Sequence, residues 1–310
     1  MPTTVPACSY LESNILSDNT LRVMTFNLLT ATKMRRSHPW RLRKRNIARI
    51  FERMQPDVVG TQEANYKQLR ELAALLPDYA FVGEGNLGPG HTDDEGNWYC
   101  AIFYRRDRVR PVIGEQAGDV LWLSPTPEVP ASQYHLGTRP RLVTWHTFEL
   151  ISTGRQFVFG TTHLEAVNHW HRRRSARQLR DYINRKVQEL GPTVPVFLTG
   201  DFNAGAGSRE IRAMVAEHED DASLYDAWAE AEAEAGAGAA QARGGTFRGL
   251  GLRDRVGHRL LGPRRIDYVF FRPRLTIRTI DRVDFEDMEH REAALPSDHY
   301  PVLAEFALAG

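Results

Sequence analysis

Eight polar residues stand where short apolar runs end. Asn27 closes VMTFN, Glu63 follows VVGTQ, and His163 closes FVFGTTH. Asp201 and Asn203 close VFLTGDFN, Asp267 lies in RRIDYVFF, and Asp298 and His299 lie in PSDHYPV. A side chain at a strand end is held by rigid backbone yet reaches an open rim. Asn27, Glu63, Asp201, Asn203 and Asp298 offer hard oxygen ligands. Such oxygens suit magnesium, manganese or calcium rather than zinc, and magnesium keeps several waters, so not all five need touch it. His163 and His299 offer proton transfer near neutral pH, and Asp267 could orient a histidine and favour its charged form. Each residue also has a plainer use. A lone Asn at a strand end is more often a turn former, a lone Asp or Glu is more often solvated or capping a helix, and a lone His is more often structural. Spacing alone does not bring the eight together.

Apolar runs predict strands at Leu21–Leu29, Asp57–Thr61, Tyr79–Gly83, Ala101–Tyr104, Val120–Leu123, Leu142–Phe148, Phe157–His163, Val194–Thr199, Ile266–Phe271, Leu275–Asp281 and Val302–Phe306. Ile47, Ile50, Phe51 and Met54 recur at helical spacing, which predicts a helix over Trp40–Met54 stopped by Pro56. Leu69, Leu72, Ala73 and Leu76 predict a second over Tyr66–Leu76, and a basic helix is expected from about Arg172 to Glu189. Glu84–Asn97 and most of Glu115–Thr138 read as loops. Ala227–Gly245, rich in Ala, Glu and Gly, reads as a short solvated helix followed by a mobile loop. No repeat or composition shift divides the chain, so one α/β domain over residues 20–310 is expected behind a flexible N-terminal arm of residues 1–19.

Composition bounds the function. Forty Lys and Arg face 39 Asp and Glu, a formal net charge of +1, so no overall basic field marks a polynucleotide binder. Two cysteines, Cys8 and Cys100, exclude a disulfide framework and a cysteine-rich zinc site. The first 19 residues lack the basic start and apolar core of a signal peptide. No segment approaches the roughly 20 apolar residues that span a bilayer. A cytoplasmic location is expected.

The stretches TFNLL, PDVVGTQEA, TTHLEA, PVFLTGDFNA, RRIDYVFF and PSDHYPVLAEF run in this order from Thr25 to Phe306. In that order the chain resembles the endonuclease/exonuclease/phosphatase family, which includes pancreatic deoxyribonuclease, abasic-site endonucleases, neutral sphingomyelinases, inositol polyphosphate phosphatases and deadenylases. The resemblance implies a four-layered α/β sandwich, two packed mixed sheets flanked by helices, with the site on one edge. It implies a metal held chiefly by Glu63 with Asn27 and Asp298 nearby. Asp201 and Asn203 would position water or the scissile phosphate. His299, paired with Asp267, would be base or transition-state stabiliser, and His163 would contact the phosphate from the other side. Relatives often carry a phosphate-contacting arginine at the start of the strand near Leu142, which makes Arg139 and Arg141 candidates. Bacterial relatives of about this size share the WLS motif at Trp122–Ser124 and the Arg-x-x-Thr-Trp pattern from Arg141 to Trp145.

The chain departs from the pattern twice. Glu165 stands where many relatives have Asp. Trp98 stands where relatives often place a glutamate, and in pancreatic deoxyribonuclease an acid near this point orients the equivalent of His163. Asp94 or Glu95 is the nearest substitute by sequence.

The expected function is hydrolysis of a phosphodiester or phosphomonoester with magnesium or manganese, calcium being admissible, on a small or lipid-derived phosphate. A nuclease, endonuclease or deadenylase-like, is the alternative. A non-catalytic phosphate-binding module is disfavoured, because the positions of Glu63, Asp201, Asp267 and His299 are all filled. His169 and His171 read as flanking a helix start, Arg172–Arg174 as a solvated face, and the acidic run Asp281–Glu292 as a solvated loop rather than a calcium site, since it lacks the glycine turn and spacing. The sequence leaves the oligomeric state open.

Overall fold

A computed structural model describes residues 19–31, 39–112, 118–135, 138–215, 223–235, 244–249, 264–285 and 294–308. The arm before residue 19, most of the loop after the helix at 227, and residues 286–293 of the acidic run lie outside them.

The first strand, β1 (Thr20–Asn27), is buried along its whole length. Its side chains alternate between two cores. Leu21 and Val23 pack between the sheets, while Met24 and Phe26 pack against helices. Its polar members Thr20, Arg22 and Thr25 are buried along with the apolar ones, and Arg22 lies 3.8 Å from Glu305 of the neighbouring strand. Helix α1 (Trp40–Met54) buries Ile47, Ile50 and Phe51 on the face its spacing predicts. It ends at Gln55, whose φ of 43° is left-handed and whose amide closes on the Phe51 carbonyl. The chain returns as β2 (Val58–Gln62), parallel to β1, and then forms α2 (Tyr66–Ala73). Asn65 and Gln68 form a reciprocal capping box at the start of α2. This helix stops three residues short of the predicted end, because a tighter turn at Leu75 and Leu76 leads into Pro77.

Strands β3 (Tyr79–Gly85) and β4 (Tyr99–Arg105) complete one side of the first sheet. Two short strands, β5 (Val109–Pro111) and β6 (Asp119–Trp122), lead to the hairpin β7 (Leu142–Leu150) and β8 (Arg155–His163). Helix α3 (His169–Leu190) then crosses over to β9 (Val196–Asp201), which lies parallel to β8. The helix starts three residues before the predicted Arg172, because the Asn168 side chain accepts from the amides of Trp170 and His171. After α4 (Arg209–Val215), β10 (Tyr225–Asp226) and α5 (Ala227–Ala235), the chain closes with β11 (Asp267–Arg272), β12 (Thr276–Arg282) and β13 (Val302–Ala307). The elements β5, β10 and α4 are too short to show a period in the sequence.

The first sheet runs β12-β13-β1-β2-β4-β3. The second runs β10-β11-β9-β8-β7-β5, with β6 beside β7. One apolar core lies between them, a second under α1 and α2, and a third under α3 and α4. This is the four-layered sandwich expected. One prediction needs correcting: α5 is docked, not solvated. Ala227 and Trp228 are buried in the inter-sheet core, and Trp228 Nε1 donates to Glu232 at 2.5 Å. Alanine and glutamate look solvated by composition, and the single tryptophan decides the packing.

Candidate active site

Among the described residues each sheet contains one parallel pair, β1–β2 and β8–β9. Ligand sites in α/β proteins collect beyond the carboxyl ends of parallel strands. Here the carboxyl ends of both pairs supply the polar residues: Asn27 and Glu63 from the first sheet, His163 and Asp201 from the second. Asp267 is paired with Asp201 across β11 and β9. Directly beneath, Gln62 Nε2 donates to Thr161 Oγ1 of the other sheet at 2.9 Å. Gly60 allows this approach: a Cβ there would lie 2.1 Å from Thr199 Oγ1 and 2.5 Å from Thr161 Oγ1. Any side chain at 60 would force the sheets apart under the site.

The geometry joins seven of the eight strand-end residues closely. Asn27 Nδ2 lies 3.1 Å from both Glu63 Oε1 and Asp201 Oδ2, so one amide bridges two carboxylates. Its Oδ1 accepts from the Leu29 amide at 3.0 Å. Glu63 has a φ of 66° and Asn203 a φ of 49°, a left-handed conformation that costs a non-glycine residue on the order of 1–3 kcal/mol and clusters at functional positions. Glu63 Oε2 accepts from the Thr30 amide at 3.3 Å, and Asp201 Oδ1 accepts from the Asn203 amide at 2.9 Å. Asn203 Nδ2 donates to His163 Nε2 at 3.0 Å and to the Leu164 carbonyl at 3.0 Å. His299 Nδ1 lies 2.9 Å from Asp267 Oδ2, and its Nε2 faces Asp201 Oδ2 at 3.7 Å.

Asp298 stands apart. Ligand atoms of Glu63, His163 and Asp201 fall within 4.8 Å of one another, as do those of Asp201, Asp267 and His299, and Asp298 belongs to neither group. Its carboxylate lies 3.4 Å from Ser297 Oγ, which donates to the Asn27 carbonyl at 2.6 Å and so ties this loop to β1.

Burial and neighbours set the charges. Burial, and then the negative charge of Asp267 and Glu63, push Asp201 up to about 7, although the nearby His299 opposes this. Burial alone would lower His299, but Asp267 and Asp201 together outweigh it and hold the ring well above its usual value, so it is an imidazolium. Burial, with Arg141, His299 and Arg139 nearby, pushes His163 well below its usual value and keeps it neutral. Two histidines in one site are thus held in opposite states.

Of the two arginines, Arg141 Nε lies 3.4 Å from Glu165 Oε2, and Arg139 Nη1 donates to the Gly96 carbonyl. Both line a cleft with Glu63, Trp98 and His163. Neither Asp94 nor Glu95 replaces the missing acid beside His163. Both are exposed on the loop, and Asp94 Oδ1 instead accepts from the Gly96 amide. Trp98 itself lies parallel to the His163 ring, 3° between planes and 6.2 Å between centres.

Several residues around the site escape sequence reasoning. Arg43 falls in a basic cluster, yet it is fully buried and donates to the carbonyls of Leu28, Leu29 and Pro296. It pins the β1–α1 loop to the segment that carries Asp298 and His299. Phe247 packs edge-on against His299 at 5.0 Å. Arg172 is not part of a solvated face: it donates to the carbonyls of Glu165 and Ala166. Only the helical register of Arg43, on the Ile47–Ile50 side of α1, could have hinted at its burial.

The fold and these strand ends define a metal-dependent phosphoesterase architecture, and the chain belongs to the endonuclease/exonuclease/phosphatase family, whose model matches residues 24–299. Members of this family are divalent-metal-dependent hydrolases of phosphoester bonds. Among solved structures, a Bacteroides thetaiotaomicron protein described as a mannosyl-6-phosphatase superposes with a TM-score of 0.73 at 27% identity, covering 92% of this chain and 99% of that one. A Bacteroides vulgatus family member superposes with a TM-score of 0.74 at 25% identity, covering 94% and 99%. Nocturnin from Xenopus laevis is 28% identical over 209 residues, 62% of this chain and 50% of that protein. The chain spans half or less of the length of the curated relatives it matches.

Proposed function

We propose that this chain hydrolyses small phosphate esters with a hard divalent cation. The observation that carries the reading is the crowding of buried acid at one point. Glu63 and Asp201 share the Asn27 amide, and Asp267 lies close enough to Asp201 to disfavour its ionisation. A divalent cation is the group such a donor set fits: the first-ranking atoms are carboxylate oxygens, as magnesium or manganese prefers. Glu63 and Asp201 would hold it, with Asn27 setting their spacing. Asp298 would act from further out. When bound, the cation would neutralise phosphate charge and stabilise the leaving oxygen.

The protein's own groups divide the remaining work. Asp201, whose two oxygens accept from the Asn203 amide and from Asn27 Nδ2, orients the attacking water. His299, kept charged by Asp267, donates from Nε2 to a nonbridging phosphate oxygen. Asn203 orients the neutral His163, which contacts the phosphate from the opposite sheet, and Arg139 and Arg141 meet the charge that develops on it. One catalytic unit, residues 20–310, contains all of these groups. The two sheets contribute equally, so neither half would be active alone.

A small substrate is favoured over nucleic acid by the near-neutral charge and by the likeness to the Bacteroides thetaiotaomicron mannosyl-6-phosphatase over almost the whole of both chains. Among the described residues no helix is long and apolar enough to cross a membrane. The buried, unpaired Cys100 suits a reducing compartment, which favours the cytoplasm. The test is turnover of p-nitrophenyl phosphate and bis-p-nitrophenyl phosphate after chelation and after adding back magnesium or manganese. Activity should vanish and return, and Glu63→Ala or His299→Ala should lower kcat by about a hundredfold or more. Full activity in the metal-stripped protein, or a near-native kcat for His299→Ala, would refute the reading.

A further inference from the structure

A groove of about 490 Å3 runs along the flank of α2 beside the site, within the range of roughly 300–1,000 Å3 usual for small-ligand sites. One wall is α2 from Asn65 to Ala74, and the other is the β3–β4 loop from Thr92 to Glu95. At about 1.5 Å per residue the α2 wall is about 13 Å long. Its near end is at the catalytic rim. Asn65 follows Glu63 by two residues, so their Cα atoms lie within about 7 Å of each other. The loop is tied to the same rim, because the Tyr99 amide donates to the Ala64 carbonyl at 2.8 Å. It is also braced internally. Asp94 Oδ1 accepts from the Gly96 amide at 2.7 Å, and Asn97 Nδ2 donates to the His91 carbonyl at 3.1 Å. A wall ordered in advance leaves little to arrange when a ligand arrives.

The two walls offer opposite halves of a hydrogen bond. The α2 wall donates. Lys67 and Arg70 can do nothing else. Asn65 is 5% exposed, its Oδ1 accepts from the Gln68 amide, and its Nδ2 has no partner among the described residues. A donor left without a partner in so buried a residue costs roughly 1–3 kcal/mol, and Asn65 lines the groove. The Tyr66 ring is anchored against Tyr99 and Phe81, and its hydroxyl makes no hydrogen bond among the described residues. The loop wall accepts, through Asp93, Asp94 and Glu95. Lys44 engages the remaining acid of the lining, Glu71, at 2.9 Å, which leaves three carboxylates against two cations. The lining is net acidic.

A ligand that meets both walls must donate and accept at once. A hydroxyl does both, whereas a phosphate oxygen only accepts and an ammonium only donates. We infer that the groove receives the leaving group of the substrate, and that this group is a neutral polyol such as a sugar ring, with no second phosphate. The inference rests on the phosphoesterase reading above. Neighbouring hydroxyls can give their protons to Asp93 and Glu95 and accept from Asn65, Lys67 and Arg70 across the groove. A second phosphate would satisfy the α2 donors but would face three carboxylates, and like charges brought together oppose binding. A polynucleotide would bring such a phosphate at every step.

Equilibrium binding separates the groove from the chemistry. Calorimetry on the magnesium-loaded His299→Ala protein would compare glucose-6-phosphate with ethyl phosphate, which shares the primary ester but has no hydroxyl, and with glucose-1,6-bisphosphate. Glucose-6-phosphate should bind tighter than either by about tenfold or more, the worth of two hydrogen bonds. Adding Tyr66→Phe, which removes only a hydroxyl, should cut the preference over ethyl phosphate roughly fivefold. Adding Asp93→Lys and Glu95→Lys together, both on exposed loop positions, should remove most of that preference and bring the bisphosphate level with the monophosphate or ahead of it. The same order should appear in kcat/KM of the wild-type active site. Binding as expected, with no hydrolysis of any of the three esters by the wild type, would refute the activity and uphold the groove. Hydrolysis with equal binding of glucose-6-phosphate and ethyl phosphate, a preference unmoved by the paired lysines, or tighter binding of the bisphosphate without them would overturn the groove and leave the activity standing.

Discussion

Replacing Asp201 by Asn should inactivate the protein and, without metal, make it more stable. Asp201 is 2% exposed, and its ionisation is pushed from 3.8 to about 7. Because the folded value lies above the unfolded one, the stabilising contribution is complete below about 3.8 and is lost as pH rises through about 7. Above that range the buried charge costs on the order of 4 kcal/mol, from about 1.4 kcal/mol for each unit. His299 has the same sign and keeps its contribution until the pH passes its own raised value. Asparagine removes the charge but can still accept from the Asn203 amide. Its own NH2 then meets Asn27 Nδ2, so one hydrogen bond worth ~1 kcal/mol is lost. The net gain is about 3 kcal/mol. For 310 residues the unfolding entropy is about 0.65 kcal/mol/K, so the gain corresponds to a Tm about 4–5 °C higher. Thermal unfolding in chelator from about pH 5 to about pH 8 would show the wild-type Tm falling relative to Asp201→Asn. With magnesium at about a hundred times its Kd the wild type should recover roughly 2.7 kcal/mol, again about 4 °C, and the variant less. A metal-free Asp201→Asn protein that melts below the wild type at about pH 8 would refute the claim that this carboxylate is held against its own preference.

Two more outcomes follow from the packing and the charge. Trp228→Ala should cost about 3–5 kcal/mol, the scale of a large aromatic removed from a core, and so lower Tm by roughly 5–8 °C; a loss under about 1 °C would mean that α5 does not dock as described. The affinity for a small ester should fall with salt at a log–log slope no steeper than about −2, because only one or two phosphates are engaged, and a slope beyond about −4 in KM or Kd would indicate a phosphate-tracking surface and a nuclease.

Much of the site was legible because its residues end strands that are themselves conspicuous. The apolar runs before Asn27, Glu63, His163 and Asp201 are buried on both faces, so period and composition marked them. Convergence was not legible from the residues alone. It depends on the opposed parallel pairs and on a glycine at 60 that lets the sheets close, and only the ordered motifs of a family carried that information. The role of Arg43 stayed hidden for a physical reason: a guanidinium that satisfies three carbonyls looks the same in sequence as one in water. Trp98 marked a departure without a meaning, since nothing in a sequence says which rings will stack on it. The docking of α5 failed to show because one tryptophan outweighs eight small or acidic neighbours.

The order of strands in the first sheet governs when activity can arise during synthesis. The last strand, β13, inserts between β12 and the first strand, pairing Ala307 with Thr20 and Val302 with Thr25. His299 lies just before it and Arg43 reaches across to the Pro296 carbonyl. A nascent chain that has emerged only through β9 already carries Asn27, Glu63, His163 and Asp201, yet β1 is paired on the β2 side alone and the imidazolium is missing. Contacts so distant along the chain form late in folding. The proposed hydrolysis therefore has to await the pairing of β13 with β1, which brings His299 to the polar residues already carried at the ends of β1, β2 and β9.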